Sequence, residues 1–222
     1  MNKQSLIIFG TGNIAQVAHF YLTHDSNYEV VAFTVDEAYL SFKEFCNLPV
    51  IPFEKVEELY PPKDIQMLVA LSYTQGNKIR TEKCKASKEK GYHLISYVSS
   101  KATTWSDLSI GENCFILEDN TIQPFVEIGN NVTLWSGNHI GHHSKIGDNC
   151  FISSHVVISG GVEVGNNCFI GVNATLRDHI KIGKDSVIGA GALILADVEP
   201  EGVYMGKATE RSKVPSRRLR GI

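Results

Sequence analysis

The chain of 222 residues lacks what several large functional classes require. It has no surplus of positive charge: 21 Lys and Arg against 24 Asp and Glu give a formal charge of -3, so no global field exists to hold a nucleic-acid backbone or an anionic membrane. It has no apolar run near the ~18–20 residues of a membrane span, and its opening, MNKQSLIIFGTG, lacks the long apolar stretch and cleavage site of a signal peptide. A cytoplasmic protein is expected. The five cysteines (Cys46, Cys84, Cys114, Cys150 and Cys168) are odd in number and show no CxxC spacing, which argues against a disulfide framework and a zinc knuckle and for reduced thiols. Glycine is scarce in the first 100 residues, where only Gly10, Gly12, Gly76 and Gly91 occur, yet the remaining 122 residues hold fifteen. That asymmetry implies two architectures.

The glycine-poor part alternates short apolar runs with helical patterns. Ser5–Phe9, Tyr28–Val35, Ile65–Leu71 and Tyr92–Tyr97 read as strands, with helices over about 14–24, 54–60 and 76–90. Pro61 and Pro62 stop the second helix, and Ser99–Thr104 reads as a linker. Strands alternating with helices give a small parallel, Rossmann-like α/β sheet with crossover helices.

Beyond residue 108 the period changes to six. Every sixth residue from Ile110 to Ile194 is aliphatic, fifteen in succession, and glycine follows at Gly111, Gly129, Gly141, Gly147, Gly165, Gly171, Gly183 and Gly189. If roughly one residue in four is Ile, Leu or Val, such a run arises by chance about once in 10^9. Six is neither a helical period nor simple alternation, so the chain turns a corner every hexad. Three sides make a triangular coil of eighteen residues, and fifteen hexads stack into five coils, a parallel β-helix roughly 24 Å tall at about 4.8 Å per coil. Residues eighteen apart then lie above one another: Cys114, Val132, Cys150 and Cys168 form one inward column that reads as core, and Asn120 and Asn138 form an interior pair sharing side-chain hydrogen bonds.

Hexads such as SKIGDN, VEVGNN, IKIGKD and SVIGAG resemble those of the hexapeptide acyltransferases, whose β-helix is left-handed. More narrowly, LIIFGTGNIAQ, a linker and then HIGHHSKIGDNCFISSHVVISGGVEVGNNCFIGVNATL resemble the sugar acetyltransferases of the sialic-acid-biosynthesis and bacillosamine type, over almost the whole chain. The resemblance implies a nucleotide-sugar-binding domain over residues 1–100 and a left-handed β-helix acyltransferase domain with a basic C-terminal tail over 105–222. It further implies a homotrimer with active sites between subunits, acetyl-CoA as co-substrate, and a UDP- or dTDP-linked amino-deoxysugar as acceptor, with acetylation at the C4 amine, in surface-glycan biosynthesis. Neither a metal, a nucleic acid nor a membrane is expected as a partner.

Five of the eight histidines (His139, His142, His143, His155 and His179) fall between residues 139 and 179. Acyl transfer gives them a use, because a protonated amine cannot attack a thioester and imidazole titrates nearest neutral pH. By the resemblance the general base is His142, in GHHSKIG. The family often has an acid at the next position to orient the ring; here it is His143, a supporting candidate. Gly160, eighteen residues later, matches a glycine that contacts the acyl-CoA, and Val172 and Ala190 match positions that clasp the pantetheine arm. Where better-known relatives have a cofactor-touching histidine, this chain has Phe151. His155 could compensate, although a structural hydrogen bond from His155 to Asn173 is the preferred reading.

Gly10-Thr11-Gly12-Asn13-Ile14-Ala15 follows a strand and opens a helix, a G-x-G-x-x-A turn that presents backbone N–H groups to a diphosphate, and Asp36 ends the second strand where a ribose or base contact belongs. The resemblance makes this a nucleotide-sugar site. The basic tail, Lys207, Arg211, Lys213, Arg217, Arg218 and Arg220, could reach the phosphates of CoA or simply be solvated. Zinc carbonic anhydrases share a similar β-helix, but His139 and His142 fall on opposite sides of a corner, against a shared metal. Two alternatives remain open: a sugar O-acetyltransferase with the same cofactor, and a nicotinamide-dependent oxidoreductase or nucleotide sensor with a β-helical oligomerisation module.

Overall fold

A computed structural model describes residues 3–218. Among them, β1 (Gln4–Phe9), α1 (Asn13–His24), β2 (Tyr28–Val35), β3 (Glu44–Phe45), β4 (Leu48–Pro52), α2 (Val56–Leu59), β5 (Gln66–Val69) and α3 (Lys78–Glu89) form the N-terminal α/β unit. The sheet order is β3-β4-β2-β1-β5, parallel throughout except for the β3–β4 pair. That hairpin was not expected from the hydrophobic pattern; its turn is set by Cys46 and Asn47, both at positive φ, which matches the twist of a two-residue hairpin. Two other expectations are corrected. The helix over 54–60 is one 3-10 turn followed by the single turn of α2. The strand expected over Tyr92–Tyr97 reduces to a bridge from Leu94 to Met67, because Tyr97 gives its N–H to Cys114 O (2.8 Å) and pairs, as β6 (Tyr97–Val98), with Phe115–Ile116 of the following unit.

The hexad reading is borne out strand by strand. Fifteen two-residue strands, β7 (Ser109–Ile110) to β21 (Leu193–Ile194), each end on the aliphatic of the sixfold series, and β22 (Val203–Tyr204) caps the stack. Pairing is parallel and joins residues eighteen apart, as in Glu127↔Lys145 and Phe151↔Phe169. Three sheets form the faces of a left-handed parallel β-helix. The first face holds the strands ending at Ile110, Ile128, Ile146, Val164 and Ile182. The second holds those ending at Val98, Ile116, Leu134, Ile152, Ile170, Ile188 and Tyr204, and the third those ending at Ile122, Ile140, Ile158, Leu176 and Ile194.

The corners explain the composition. The third residue after each aliphatic commonly takes a positive φ, as at Asn113, Asn131, His143, Asn149, His155, Asn167 and His179, a conformation that Asn, Asp, His and Gly tolerate best. Inside, the aliphatic series is buried together with the column of Cys114, Val132, Cys150 and Cys168, each 0% exposed. Burial helps to hold the Cys114 thiol up at about 11, and the column fills the core. Asn138 donates to Asn120 Oδ1 at 3.0 Å, as expected. A second ladder was not foreseen: Asn113, Asn131, Asn149, Asn167 and Asp185 are linked side chain to side chain at 2.9–3.1 Å along the first corner. Its lowest member bonds the main chain of Val69 in β5, at 2.8 and 3.1 Å.

The N-terminal unit rests on the second face. Arg80 of α3 is 2% exposed and donates to Thr133 Oγ1 (2.7 Å), Asn131 O (3.1 Å) and Cys150 O (3.2 Å), with its guanidinium over the Phe151 ring. Burial without a carboxylate partner pulls its pKa down to about 10. Tyr73, in the loop between β5 and α3, packs on Phe151 (4.9 Å between centroids) and Phe169 (4.6 Å).

Candidate active site

His142 and His143 occupy the corner that follows the third face, between β12 (His139–Ile140) and β13 (Lys145–Ile146). The main chain is pinned there: His142 N–H donates to Gln123 Oε1 (2.8 Å), His142 O accepts from Gly161 N–H (2.8 Å), and His143 N–H reaches Pro124 O (3.3 Å). The His142 ring rises towards the next coil and occupies the space a side chain at Gly160 would need; a Cβ there would lie 2.8 Å from its Cε1 and 2.9 Å from its Nε2. Nδ1 of His142 and Nδ1 of His143 are 3.0 Å apart, with the rings nearly perpendicular at 87°. The His143 ring leans on Phe125, 4.7 Å between centroids. His142, His143 and Gly160 are thus brought together, with the Cε1–Nε2 edge of the His142 ring against Gly160.

His155, Val172 and Ala190 fall elsewhere. They lie on the corner that precedes the third face, Val172 41% exposed and Ala190 also exposed. The expected hydrogen bond from His155 to Asn173 is not formed: Asn173 N–H goes to Ser154 O (3.1 Å), and the His155 ring turns the other way, filling the space above Gly137 in the preceding coil. Gly137, which has no side chain, leaves the space that the ring fills.

The glycine turn leaves room for a ligand. Gly10, at φ 121, donates to Thr34 O (2.8 Å), and a Cβ on it would meet Ala70 O at 2.8 Å, so only glycine closes this strand-to-helix turn. Gly12 caps α1 with open space above it, Thr11 is half-buried and Asn13 exposed, so the helix N-terminus faces solvent with the polarity that suits an anion. Asp36 sits at the end of β2, but its Oδ1 already accepts from Lys83 Nζ at 2.6 Å, with both side chains about one-fifth exposed (21% and 23%). Sequence reading missed Lys83, Arg80 and Tyr73. The buried side of α3 mixes Arg80 with Cys84 and Ser87, so no apolar stripe marked it.

The glycine turn and His142 cannot meet within one chain. The N-terminal unit packs on the second face, through Arg80 and Tyr73, whereas the His142 corner joins the third face to the first and is the edge of the prism opposite the second face. A groove of about 530 Å³ runs along the first face over the Glu127–Lys145 and Glu163–Lys181 ion pairs and contains none of these residues. Among the described residues no three His, Cys, Asp or Glu side chains cluster as a metal would require, and no helix is long and apolar enough to cross a membrane. Of the basic tail, Lys207, Arg211, Lys213 and Arg218 are exposed; Arg220 and the side chain of Arg217 lie outside the described residues.

Comparison with known proteins finds the same fold in solved structures. The bacterial transferase hexapeptide (six repeats) family matches residues 107–142, 128–160 and 161–196. No curated protein sequence matches the chain. A variant of perosamine N-acetyltransferase from Caulobacter crescentus, solved with CoA and GDP-perosamine, superposes with a TM-score of 0.82 at 21% identity over 91% of this chain and 93% of its own. The acetyltransferase domain of PglB from Neisseria gonorrhoeae, solved with acetyl coenzyme A, gives 0.82 at 22% identity over 92% and 97%. WeeI from Acinetobacter baumannii gives 0.68 at 15% identity over 90% and 96%. At such identities the likeness is one of fold, and it extends over both units.

Proposed function

We propose, from a chain whose residues 107–196 are bacterial transferase hexapeptide repeats, that it transfers acetyl from acetyl-CoA to the amino group, at C4, of a nucleoside-diphosphate-linked amino-deoxysugar. The observation that carries this reading is the placement of the His142 imidazole against the bare backbone of Gly160 with its Nδ1 held by His143. That arrangement offers Nε2 as a proton acceptor, because the bare backbone of Gly160 lets the ring lie against it. Solved proteins of this two-unit fold, a perosamine N-acetyltransferase bound to CoA and GDP-perosamine and an acetyltransferase domain bound to acetyl coenzyme A, support the same reading.

In this reading the substrate diphosphate lies on the N-terminus of α1 beyond Gly10 to Asn13, Asp36 and Lys83 face the nucleoside, and the sugar amine reaches His142. Because the turn and His142 lie on opposite sides of one prism, the two halves come from neighbouring chains, and a homotrimer supplies three such clefts. The exposed Val172 and Ala190 then line the approach of the pantetheine arm from the adjacent corner. The neutral amine attacks the thioester carbon, Nε2 of His142 takes the proton, and the thiolate of CoA leaves and is protonated in turn.

Thiol release from acetyl-CoA across UDP-, dTDP- and GDP-linked amino sugars tests the reaction, and the matching hydroxy sugars separate N- from O-acetylation. His142→Ala is expected to lower kcat by about 10²–10⁴-fold with little change in the dissociation constants of either substrate. Tight NADH binding with no thiol release from any sugar would replace this reading by the oxidoreductase or sensor.

A further inference from the structure

We infer that His143 carries a proton in the reaction, so that the His142–His143 pair, and not a single imidazole, stores the proton lost by the attacking amine; this rests on the acyl-transfer reading above. A hydrogen bond between two imidazole nitrogens 3.0 Å apart needs one donor and one acceptor. For Nε2 of His142, the nitrogen beside Gly160, to hold the free lone pair, the ring hydrogen must be on its Nδ1, and Nδ1 of His143 must accept it. His143 then bears its own hydrogen on Nε2. The pair fixes the reactive tautomer without a carboxylate, and among the described residues neither ring is hydrogen-bonded or ion-paired to a charged group.

A carboxylate at this place would stabilise the imidazolium by its charge but would scarcely take the proton, since its ordinary pKa lies about two units below that of imidazole. A second imidazole has the same intrinsic proton affinity. As the C–N bond forms, the amine N–H proton moves to Nε2 of His142 and the Nδ1 proton of His142 moves to Nδ1 of His143, leaving the positive charge on His143. When the tetrahedral intermediate collapses and the C–S bond breaks, the sulfur takes the proton from Nε2 of His142, and the Nδ1 proton returns from His143. Both rings end as they began, and one proton has passed from nitrogen to sulfur.

At φ 59 His143 shares with Phe125, Gly161 and His179 a left-handed corner position that asparagine, which fills the first corner at Asn113, Asn131 and Asn149, suits best. Its ring is braced by the Phe125 ring and exposed.

The same preference makes His143→Asn a clean test, because asparagine suits the turn and its side-chain oxygen can still accept from Nδ1 of His142 but cannot carry the proton. The wild-type protein is expected to give a curved proton inventory for kcat in mixtures of light and heavy water. His143→Asn should lower kcat about tenfold or more at unchanged KM and give a linear inventory. His143→Glu should restore turnover and move the acid limb of kcat/KM to higher pH, since a neighbouring carboxylate raises the pKa of His142. Nitrogen NMR of histidine-labelled wild type should show the ring hydrogen on Nδ1 of His142 and none on Nδ1 of His143. Wild-type kcat and a curved inventory in His143→Asn would overturn the relay alone; the hydrogen on Nδ1 of His143 would overturn the relay and, by placing the hydrogen of His142 on Nε2, the assignment of that nitrogen as the base. Absence of acetyl transfer by the wild type to every amino sugar would overturn the acyl-transfer reading and the relay with it.

Discussion

Adding one methyl group at Gly160 isolates the geometry on which the acyl-transfer reading depends. A Cβ on Gly160 would stand 2.8 Å from Cε1 and 2.9 Å from Nε2 of His142, whereas unbonded carbons settle about 3.5–4.0 Å apart. In Gly160→Ala the ring must therefore retreat by about 1 Å, a displacement that costs on the order of 100-fold when the displaced group reacts. Gly160 has no positive φ, so alanine is acceptable to the backbone, and the exposed ring can swing outward without opening the core. Its neighbour supplies the control. Gly161 has φ 68, and a Cβ there would meet the His179 ring, 2.8 Å from Cε1, and not His142. Gly161→Ala should cost about 1–2 kcal/mol of stability through its left-handed backbone and, since its N–H holds His142 O, should lower kcat by much less than Gly160→Ala does. Thiol release measures kcat, and thermal unfolding measures stability. A correctly assembled Gly160→Ala protein with wild-type kcat would refute the assignment of the reacting nitrogen to the face of His142 beside Gly160.

Other consequences follow from particular contacts. Arg80→Ala removes three hydrogen bonds from a buried cation and should destabilise the protein by about 2–4 kcal/mol, read in a denaturant titration; an unchanged midpoint would mean that the N-terminal unit is not held to the second face as described. Ile152→Ala, at a site 0% exposed in the middle of the stack, should cost about 2–5 kcal/mol by the same measurement. Asp25 accepts from Ser100 N–H, the Tyr97 hydroxyl and the Ser99 hydroxyl, which hold its carboxyl down at about 2 against an ordinary 3.8. Because the folded value is the lower one, its contribution to stability is complete above about pH 4 and disappears as the pH falls towards 2; Asp25→Asn should flatten acid unfolding in that window. Light scattering should report three times 24.5 kDa; a monomer at micromolar concentration would remove the shared cleft.

The β-helix was legible in the sequence because its determinant is local and repeated. An inward aliphatic every six residues and a small or left-handed-tolerant residue at each corner specify the turn, and stacking only multiplies that choice, so the strand ends, the eighteen-residue register and the buried cysteine column could be read in advance. The glycine turn from Gly10 to Asn13 was legible for a similar reason, since a strand, a turn that admits only glycine and a helix start are neighbours in sequence. What lay beyond reading depends on partners far apart in the chain. Arg80 finds Thr133 and Cys150 only when α3 lies on the second face, Lys83 reaches Asp36 from a different element, and Asn113 ties its ladder to Val69. The direction of each histidine ring was also tertiary. His142 rises onto Gly160 while His155 turns back onto Gly137, because the glycine that leaves room for each ring lies in a different neighbouring coil and is met only when the coils stack.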